Sequence, residues 1–262
     1  MRYVVKLGGH SLTDLSSSND VLLSLAEDLI TLGSQGHSVC VIHGGGPQID
    51  QALRLSGLEI EYVDGLRVTS SQSISIIQTA LAGVNAAIVT TLNTMGVLCL
   101  GLRGFDGGQV LASSLGGPWQ LVANDLSVDP SLIETLWGAG YVPVLSPVVM
   151  DSEGQMLNCN ADELAGAMAS ALGADALFLL SDVDQLRADV NDAKSGLDLV
   201  TFAELTTMVD EGNVSGGMIP KAKAALVAGS GGATRVVIAN ASTKNILMKA
   251  ISNQALTTEV TA

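Results

Sequence analysis

Two glycine runs stand where backbone N–H groups could bind an anion. The run KLGG at residues 6–9 closes one short apolar segment, and HGGGP at residues 43–47 closes the next and precedes a helical pattern. Glycine lets backbone N–H groups approach an anion closely, and a helix N-terminus adds a favourable dipole. Each run alone is typical of a tight turn, but two of them at the carboxyl ends of parallel strands favour a phosphate site. Neither run matches GxGxxG or the P-loop pattern, so the sequence excludes an ordinary dinucleotide or P-loop site.

Two lysines and an aspartate have types and positions that suit phosphoryl transfer. Lys6 directly precedes a glycine turn, where it could meet a transferring phosphoryl group, although a charge that reaches solvent is an equal alternative. Lys221 lies in the first turn of a predicted helix, where a cation opposes the helix dipole and so invites a functional explanation. Asp162, in the segment NCNAD, could cap the following helix or hold the two ammonium groups in position.

Arg67 is a further candidate for binding an anion. It lies in the otherwise uncharged tract GLRVT and could clamp a substrate carboxylate through two parallel hydrogen bonds. A structural ion pair with Asp64 or Glu61 is an equally good interpretation. The three histidines lack metal-ligand spacing, and HExxH and CxxC are absent, so we expect no metal site. The serine-nucleophile motif GxSxG is absent as well. We interpret His43, beside the second glycine run, as a packing residue rather than a base.

Composition and charge exclude several classes of protein. The chain has 262 residues, of which 47% are hydrophobic and 15% charged, as is typical of one large or two modest folded domains. A net charge of −14 without a basic patch argues against a nucleic-acid partner. The 3 cysteines are scattered and form no disulfide framework. Because we find no secretory signal and no apolar run of about 20 residues, we expect a cytoplasmic protein without a membrane partner.

Short β-branched apolar runs alternate with segments of helical spacing. The runs predict strands that are buried on both faces of a mainly parallel sheet. The helical segments between them predict right-handed crossovers, and hence an α/β fold with a three-layer αβα sandwich. The predicted strands are Tyr3–Lys6, Ser38–Ile42, Val97–Gly101, Val142–Leu145, Ala176–Leu180 and Arg235–Ile238, and the predicted helices are Asp20–Gly33, Pro47–Ser56, Ser70–Met95, Asp129–Ala139, Asp162–Leu172 and Pro220–Ala228.

Three segments break this alternation. We interpret Gly57–Thr69 and Gly104–Val122 as hairpins or loops over a sheet edge, and Arg187–Leu199 as a polar excursion into solvent. No internal repeat or low-complexity linker divides the chain. Two lobes that share one sheet would therefore join near residues 175–180.

Six segments occur in the order and at the approximate spacing of the amino-acid kinase superfamily. They are KLGG, HGGGPQI, GLRVT, NCNAD, LLSDV and GGMIPK, and the resemblance covers nearly the whole chain, from Tyr3 to about Ile251. Within the superfamily, the set resembles the kinases of N-acetyl-L-glutamate in arginine biosynthesis. The resemblance implies the amino-acid kinase fold and transfer of the γ-phosphoryl group of MgATP to the side-chain carboxylate of N-acetylglutamate, which gives an acyl phosphate and ADP.

The resemblance also implies roles for individual residues. Lys6 and Lys221 would flank the transferring phosphoryl group while Asp162 orients both, and glycines 8, 9, 44 and 45 would supply backbone donors. Residues 1–177 would bind the acyl acceptor and dimerise, and residues 178–262 would bind ATP, with Mg²⁺ carried by the nucleotide. The implied acceptor-binding residues are Gly44, Gly45, Gly46, Arg67, Asn158 and Asn160, and those implied for ATP are Gly8, Gly9, Asp182, Leu186, Asn213, Val214, Ser215 and Met218.

Some positions depart from the family pattern, and two other assignments stay open. Gln185 stands where a glycine is usual, and residues 240–242 read Asn-Ala-Ser where Asp-Gly-Arg is common. The alternatives are a kinase of aminoadipate or glutamate attached to an acidic carrier protein, which a charge of −14 would repel, and a non-catalytic regulatory homologue. Because the chain begins with the first strand, it resembles the homodimeric members, and the helix Ser70–Met95 is the predicted dimer face.

Overall fold

The polypeptide forms two β-sheets, one hairpin and the helices that join them. The structure, a computed structural model, describes residues 1–16, 18–188, 192, 194–214 and 218–262. Its strands are β1 Arg2–Leu7, β2 Ser38–His43, β3 Tyr62–Val63, β4 Leu66–Arg67, β5 Cys99–Arg103, β6 Val110–Gly116, β7 Gln120–Val128, β8 Val142–Ser146, β9 Val148–Met150, β10 Met156–Asn158, β11 Ala176–Ser181, β12 Leu199–Thr201, β13 Arg235–Asn240 and β14 Thr257–Thr261. Its helices are α1 Asp20–Ser34, α2 Gly46–Leu55, α3 Ser73–Thr94, α4 Ser131–Gly138, α5 Ala161–Leu172, α6 Phe202–Asp210, α7 Met218–Ser230 and α8 Ile246–Ile251.

The central sheet has the order β12-β14-β13-β11-β1-β2-β8-β5. The six strands from β13 to β5 run parallel, and each matches a predicted strand to within two residues. They are mainly apolar because helices cover both faces of the sheet. Beyond β13, the antiparallel β14 and then β12 extend the sheet, and the sequence analysis predicted neither.

Alternate side chains of β1 enter two separate cores. Val4 packs in the core that includes α5 and α7, whereas Tyr3, Val5 and Leu7 pack in the core that includes α1, α3 and α8. The predicted three-layer αβα sandwich is therefore confirmed. Because side chains alternate across a strand, Lys6 lies on the same face as Val4, towards α5 and α7. This alternation decides which helices can reach the lysine.

Four short strands form a second, closed sheet in the order β10-β7-β6-β9. The segment Gly104–Val122 was interpreted as a hairpin or loop over a sheet edge. It does contain the hairpin of β6 with the start of β7, but both strands belong to this closed sheet rather than to an edge. The pairing of β6 with β7 shifts register twice, so the sequence shows no clean period of two. The sheet positions the site because β10 ends at Asn158, directly before α5.

Helix α3 is the one helix among the described residues whose length and composition alone would allow it to cross a membrane. Its buried side chains recur at helical spacing and pack in two of the hydrophobic cores, and its most exposed positions carry small or polar side chains. The buried series is Ile77, Leu81, Val84, Ile88 and Leu92. This distribution is typical of an amphipathic helix on the face of a sheet.

The other predicted segments agree with the structure to different degrees. The hairpin of β3 and β4 confirms that Gly57–Thr69 contains a hairpin. Helix α4 begins later than predicted, although Asp129 does accept a hydrogen bond from the Ser131 N–H at 2.9 Å. Helices α6 and α8 were not predicted, and part of Arg187–Leu199 lies outside the described residues.

Candidate active site

Lys6, Asp162 and Lys221 form a buried cluster at the carboxyl end of β1. The Lys6 Nζ lies 3.0 Å from Asp162 Oδ1, and the Lys221 Nζ lies 3.3 Å from Asp162 Oδ2. The side chains are 7%, 8% and 11% exposed for Lys6, Asp162 and Lys221. Strand β1, helix α5 and helix α7 thus each contribute one charged group, as the sequence predicts.

Local capping explains why the Asp162 carboxylate is available to the lysines. Asn160, rather than Asp162, is the N-cap of α5, and its Oδ1 accepts hydrogen bonds from the N–H groups of Asp162 at 2.8 Å and Glu163 at 3.4 Å. The capping alternative for Asp162 is therefore wrong. An aspartate in the first helical turn also interacts favourably with the helix dipole.

The cluster combines two lysines with one aspartate in a buried place. Burial lowers the pKa of Lys6, and the carboxylate of Asp162 opposes that shift. Burial raises the pKa of Asp162, but the two lysines outweigh it and hold this pKa below its ordinary value. The carboxylate of Asp162 is therefore ionised at neutral pH, and the amino groups of two lysines share it. Such a cluster attracts an anion although the whole chain has a charge of −14.

The two glycine runs lie in direct contact beside this cluster. A Cβ on Gly9 would lie 2.8 Å from the Gly46 nitrogen and 2.9 Å from the Gly45 nitrogen, and a Cβ on Gly44 would lie 2.9 Å from the Gly9 nitrogen. Only glycine permits this approach, which draws several backbone N–H groups together. The space that a Cβ of Gly9 would fill thus lies next to the backbone nitrogens of Gly45 and Gly46.

The runs do not contribute equally as donors. The Gly8 N–H donates to Leu180 O and the Gly44 N–H donates to Leu7 O, each at 2.8 Å, which continues the sheet beyond the strands. The donor role expected of Gly8 and Gly44 therefore does not fit, because those N–H groups are already bonded. In the part of the chain that the structure describes, the N–H groups of Gly9 and Gly45 have no hydrogen-bond partner, so of the four glycines expected to donate these two remain candidates.

A cavity of about 320 Å³ opens from the glycine turns towards the hairpin of β3 and β4. Lys6 and Asp162 lie on its wall, and Lys221 lies behind Asp162. All six residues predicted for the acceptor also line it, namely Gly44, Gly45, Gly46, Arg67, Asn158 and Asn160. The cavity size is within the range of small-molecule sites. The structure thus brings the predicted acceptor residues to one pocket.

Arg67 is held at the rim of this cavity by two residues that the sequence analysis missed. Its Nη1 forms an ion pair with Asp50 of α2, and its Nη2 donates to the Tyr62 hydroxyl at 2.5 Å. The guanidinium carbon also lies 4.8 Å from the centre of the Tyr62 ring. The ion-pair alternatives with Asp64 and Glu61 are therefore wrong, since the partner comes from a different element. The one sequence feature that could have indicated a partner of Arg67 was the aromatic residue Tyr62 in the same short hairpin.

The residues predicted for ATP do not share one place, because Gly9 lines the acceptor cavity whereas four others line a second cavity. Leu186, Asn213, Val214 and Met218 line a smaller cavity of about 100 Å³, and Asn213 also lines an adjoining cavity of about 420 Å³. Asp182 is exposed and follows β11, close enough to Lys6 to raise the pKa of that lysine. Ser215, also predicted for ATP, lies outside the described residues.

Gln185, which stands where the family pattern has a glycine, joins two segments near the residues predicted for ATP. Its Nε2 donates to Asp198 Oδ1 at 2.6 Å and to Thr257 O at 3.1 Å. A Cβ on Gly196 would lie 2.3 Å from Gln185 Oε1, so the glycine at 196 makes room for the larger side chain at 185. At the other departure from the family pattern, residues 240–242, the Asn240 Nδ2 donates to Asp184 Oδ1 at 3.1 Å. Both departures therefore make hydrogen bonds near the residues predicted for ATP.

A parallel sheet that places two lysines, an aspartate and paired glycine turns at its carboxyl edge is typical of an α/β enzyme that binds phosphorylated anions. The model of the amino acid kinase family matches residues 1–240, and the chain belongs to this family. The predicted membership of the superfamily is therefore confirmed.

Relatives of this chain resemble it over most of their length. A protein of Methanocaldococcus jannaschii named acetylglutamate kinase is 36% identical over 259 residues, which cover 94% of this chain and 85% of the relative. A Prochlorococcus marinus protein of the same name is 39% identical over 222 residues, which cover 84% of this chain and 72% of the relative. Among solved structures, smu.665 from Streptococcus mutans UA159 has a TM-score of 0.82 at 27% identity, covering 100% of this chain and 98% of that one.

Proposed function

We propose that this protein is a kinase that phosphorylates the side-chain carboxylate of N-acetyl-L-glutamate with MgATP, giving N-acetylglutamyl phosphate and ADP in arginine biosynthesis. The observation that carries the proposal is the single cavity in which Lys6, Asp162, the glycine turns and Arg67 meet. The family membership and the names of the relatives support the same reaction.

The acceptor in this reaction needs no general base. A side-chain carboxylate has an ordinary pKa near 4, so at neutral pH it is already an anion and can attack phosphorus. The task of the protein is to bring two anions together in line and to stabilise the charge on the transferring group. A site built from lysines and backbone N–H groups suits that task.

Lys6 and Lys221 reduce the repulsion between the acceptor and the nucleotide. Both ammonium groups are held by one carboxylate, that of Asp162, at 3.0 and 3.3 Å. Their positions are therefore set before the substrates bind, and no energy is spent on ordering two long side chains during the reaction. The N–H groups of Gly9 and Gly45 add neutral donors beside the same cluster. Mg²⁺ enters with the nucleotide as part of the substrate.

Arg67 recognises the α-carboxylate of the acceptor. Asp50 and Tyr62 hold two corners of its guanidinium, which leaves the remaining N–H groups to a ligand. Asn158 lines the same cavity and is itself oriented by a hydrogen bond from its Nδ2 to Thr69 Oγ1 at 3.0 Å. An arginine fork and an amide suit an acetylated amino acid, which offers both a carboxylate and an amide group.

The two lobes proposed from the sequence would divide these tasks. Residues 1–177 contain the acceptor cavity, and residues 178–262 contain the cavities lined by Leu186, Asn213 and Met218. The boundary falls inside β11, a strand of the central sheet, so the lobes share that sheet. A closing motion of one lobe on the other would bring the γ-phosphoryl group to the lysine cluster.

The molecule is proposed to act as a cytoplasmic homodimer. Strand β5 is an edge of the central sheet. Leu98, just before it, and Leu100, within it, are 63% and 41% exposed. The outer face of α3 lies next to this edge and carries small side chains such as Ala82 and Ala86. Multi-angle light scattering tests the assignment, and Leu98→Asp with Leu100→Asp is expected to give a monomer. A wild-type monomer contradicts it.

The function is tested by ADP release with four acceptors. N-acetylglutamate is compared with free glutamate, N-acetylaspartate and aminoadipate at saturating MgATP. The proposal requires N-acetylglutamate to give the largest kcat/KM of the four. An enzyme that turns over none of these free acceptors would support the carrier-linked or regulatory alternatives instead.

A further inference from the structure

His43 and Asn85 are two buried polar side chains that have no part in the chemistry described so far. They are 0% and 9% exposed, and they lie beneath the glycine turn at residues 44–46. The His43 Nε2 lies 3.1 Å from the Asn85 Nδ2, and the His43 Nδ1 lies 2.8 Å from Gly44 O. A chain of hydrogen bonds therefore runs from α3 to the glycine turn.

The surrounding groups determine the direction of every bond in this chain. The Asn85 Nδ2 donates to Val144 O at 2.9 Å, which fixes the amide because a carbonyl can only accept. The His43 Nε2, which faces the same Nδ2, must then be the acceptor. Its Nδ1 must carry the proton and donate to Gly44 O. Burial lowers the pKa of His43 to about 4, so the ring is neutral, as this arrangement requires.

The bond to Gly44 O fixes a donor of the active site. The carbonyl of Gly44 and the N–H of Gly45 belong to one planar peptide unit and point in opposite directions. When His43 holds this carbonyl beneath the turn, the Gly45 N–H is directed away from His43. The Gly45 nitrogen lies 2.9 Å from the place that a Cβ of Gly9 would take, and its N–H is one of the two candidate donors beside Lys6.

Close packing fixes Asn85 itself. A Cβ on Gly101 of β5 would lie 2.1 Å from Asn85 Oδ1, so that position must be glycine for the amide to lie against the strand. One turn earlier on α3, Leu81 supports the glycine turn, since a Cβ on Gly45 would lie 2.7 Å from its Cδ2. Helix α3 thus supports the turn through one polar and one apolar contact.

We propose that His43 and Asn85 are positioning residues that aim the Gly45 N–H at the bound anion. The inference rests on the proposed function for its kinetic test, because that function supplies the anion. It assigns the imidazole neither base nor acid chemistry. The proton stays on Nδ1 throughout the reaction.

Two substitutions at position 43 separate positioning from packing. In His43→Asn the side-chain amide can replace Nδ1 and donate to Gly44 O, and in His43→Gln the longer amide can replace Nε2 and keep only the contact with Asn85. We expect His43→Gln to lower kcat/KM for N-acetylglutamate by about 10- to 100-fold, with a much smaller loss in His43→Asn. Thermal midpoints show whether both variants fold equally well. Equal losses in two equally stable variants overturn the proposal.

The protonation state gives a test that does not depend on turnover. The chain has 3 histidines, and the signals of His43 are identified by their absence in His43→Asn. In spectra of ¹⁵N-histidine-labelled wild-type protein at pH 7, Nδ1 must be protonated and Nε2 bare. The opposite tautomer or an imidazolium contradicts the inference. If the wild type proves inactive on N-acetylglutamate, the proposed function fails, and this spectrum still decides the inference.

Discussion

Lys6 and Asp162 form an ion pair with 3.0 Å between Nζ and Oδ1, and both side chains are more than nine-tenths buried. Because burial removes water from both groups, this pair must be completed by further polar contacts to be stable. Lys221 supplies one of them to the second oxygen of the carboxylate. Two lysine side chains therefore share one carboxylate, an arrangement that suits the binding of anionic substrates.

Removing either lysine should lower turnover strongly. Lys6→Ala and Lys221→Ala are each expected to lower kcat by about 10²–10³-fold, the usual effect of losing one preorganised donor. Steady-state kinetics measure the effect. Lys223→Ala is the matched control, because Lys223 is an exposed lysine on the same helix as Lys221. Unchanged turnover in either lysine variant would remove that residue from the mechanism.

Removing the charge of Asp162 should harm stability as well as turnover. In Asp162→Asn two buried ammonium groups face each other without a carboxylate, which is expected to cost about 3–5 kcal/mol in the free energy of unfolding. Urea denaturation at pH 7 measures this free energy. A variant as stable as the wild type would show that the lysines are not held by this carboxylate.

Gly9 tests the close approach of the two glycine turns. A Cβ at Gly9 would lie 2.8 Å from the Gly46 nitrogen, so Gly9→Ala must separate the turns and is expected to lower kcat/KM by about 10²-fold. The control is Gly33→Ala, at a position in α1 where a Cβ meets no atom within 4 Å. The control should retain full activity and gain about 0.5–1 kcal/mol of stability. Comparable activity in the two variants would contradict the geometry.

Arg67 tests the recognition of the acceptor. Arg67→Lys keeps the charge but loses the planar fork, so the KM for N-acetylglutamate should rise about 10- to 100-fold while the KM for MgATP stays nearly constant. Initial rates with each substrate varied in turn measure both constants. Arg54→Lys, at an exposed arginine of α2, is the control. A rise in the KM for MgATP alone would place Arg67 on the nucleotide side.

The lowered pKa of His43 should make the free energy of unfolding depend on pH. Its pKa is lowered from 6.5 to about 4 by burial, so the unfolded chain takes up a proton at a higher pH than the folded one. Stability from this residue is complete above about pH 6.5 and falls as the pH drops towards 4, by about 3 kcal/mol in total. The difference in unfolding free energy between pH 7.5 and pH 5 should be smaller in His43→Asn than in the wild type. Parallel pH profiles would contradict the shift.

The sequence predicts the parts of this protein that are locally regular. Six strands carry mainly apolar runs because helices cover the central sheet on both sides, and these strands were predicted to within two residues. The closed sheet was not, because the shifts at Leu111 and Ser114 erase the alternation that marks a strand. The order of apolar runs and helical segments thus predicts the three-layer sandwich. It does not predict the small closed sheet, which contributes Val122 and Asn158 to the cavity.

The sequence likewise predicts some residues of the site but not the contacts that hold them. Lys6, Asp162 and Lys221 were predicted together from the family pattern, and the structure shows them in contact. The partner of Arg67 was sought among its sequence neighbours, whereas Asp50 reaches it from α2. His43 was interpreted as a packing residue, since nothing near it in sequence marks Asn85 as its partner. Contacts between distant elements depend on the tertiary fold, which local patterns do not contain.

The central claim is that the buried lysine cluster transfers a phosphoryl group to a carboxylate, and trapping the acyl phosphate tests it most directly. Hydroxylamine converts an acyl phosphate to a hydroxamate, which mass spectrometry identifies. With wild-type protein, MgATP and N-acetylglutamate, the amount of N-acetylglutamyl hydroxamate should equal the ADP released. Lys6→Ala should lower both by about 10²–10³-fold, and Lys223→Ala should lower neither. ADP release without hydroxamate, or full hydroxamate formation by Lys6→Ala, would contradict the claim.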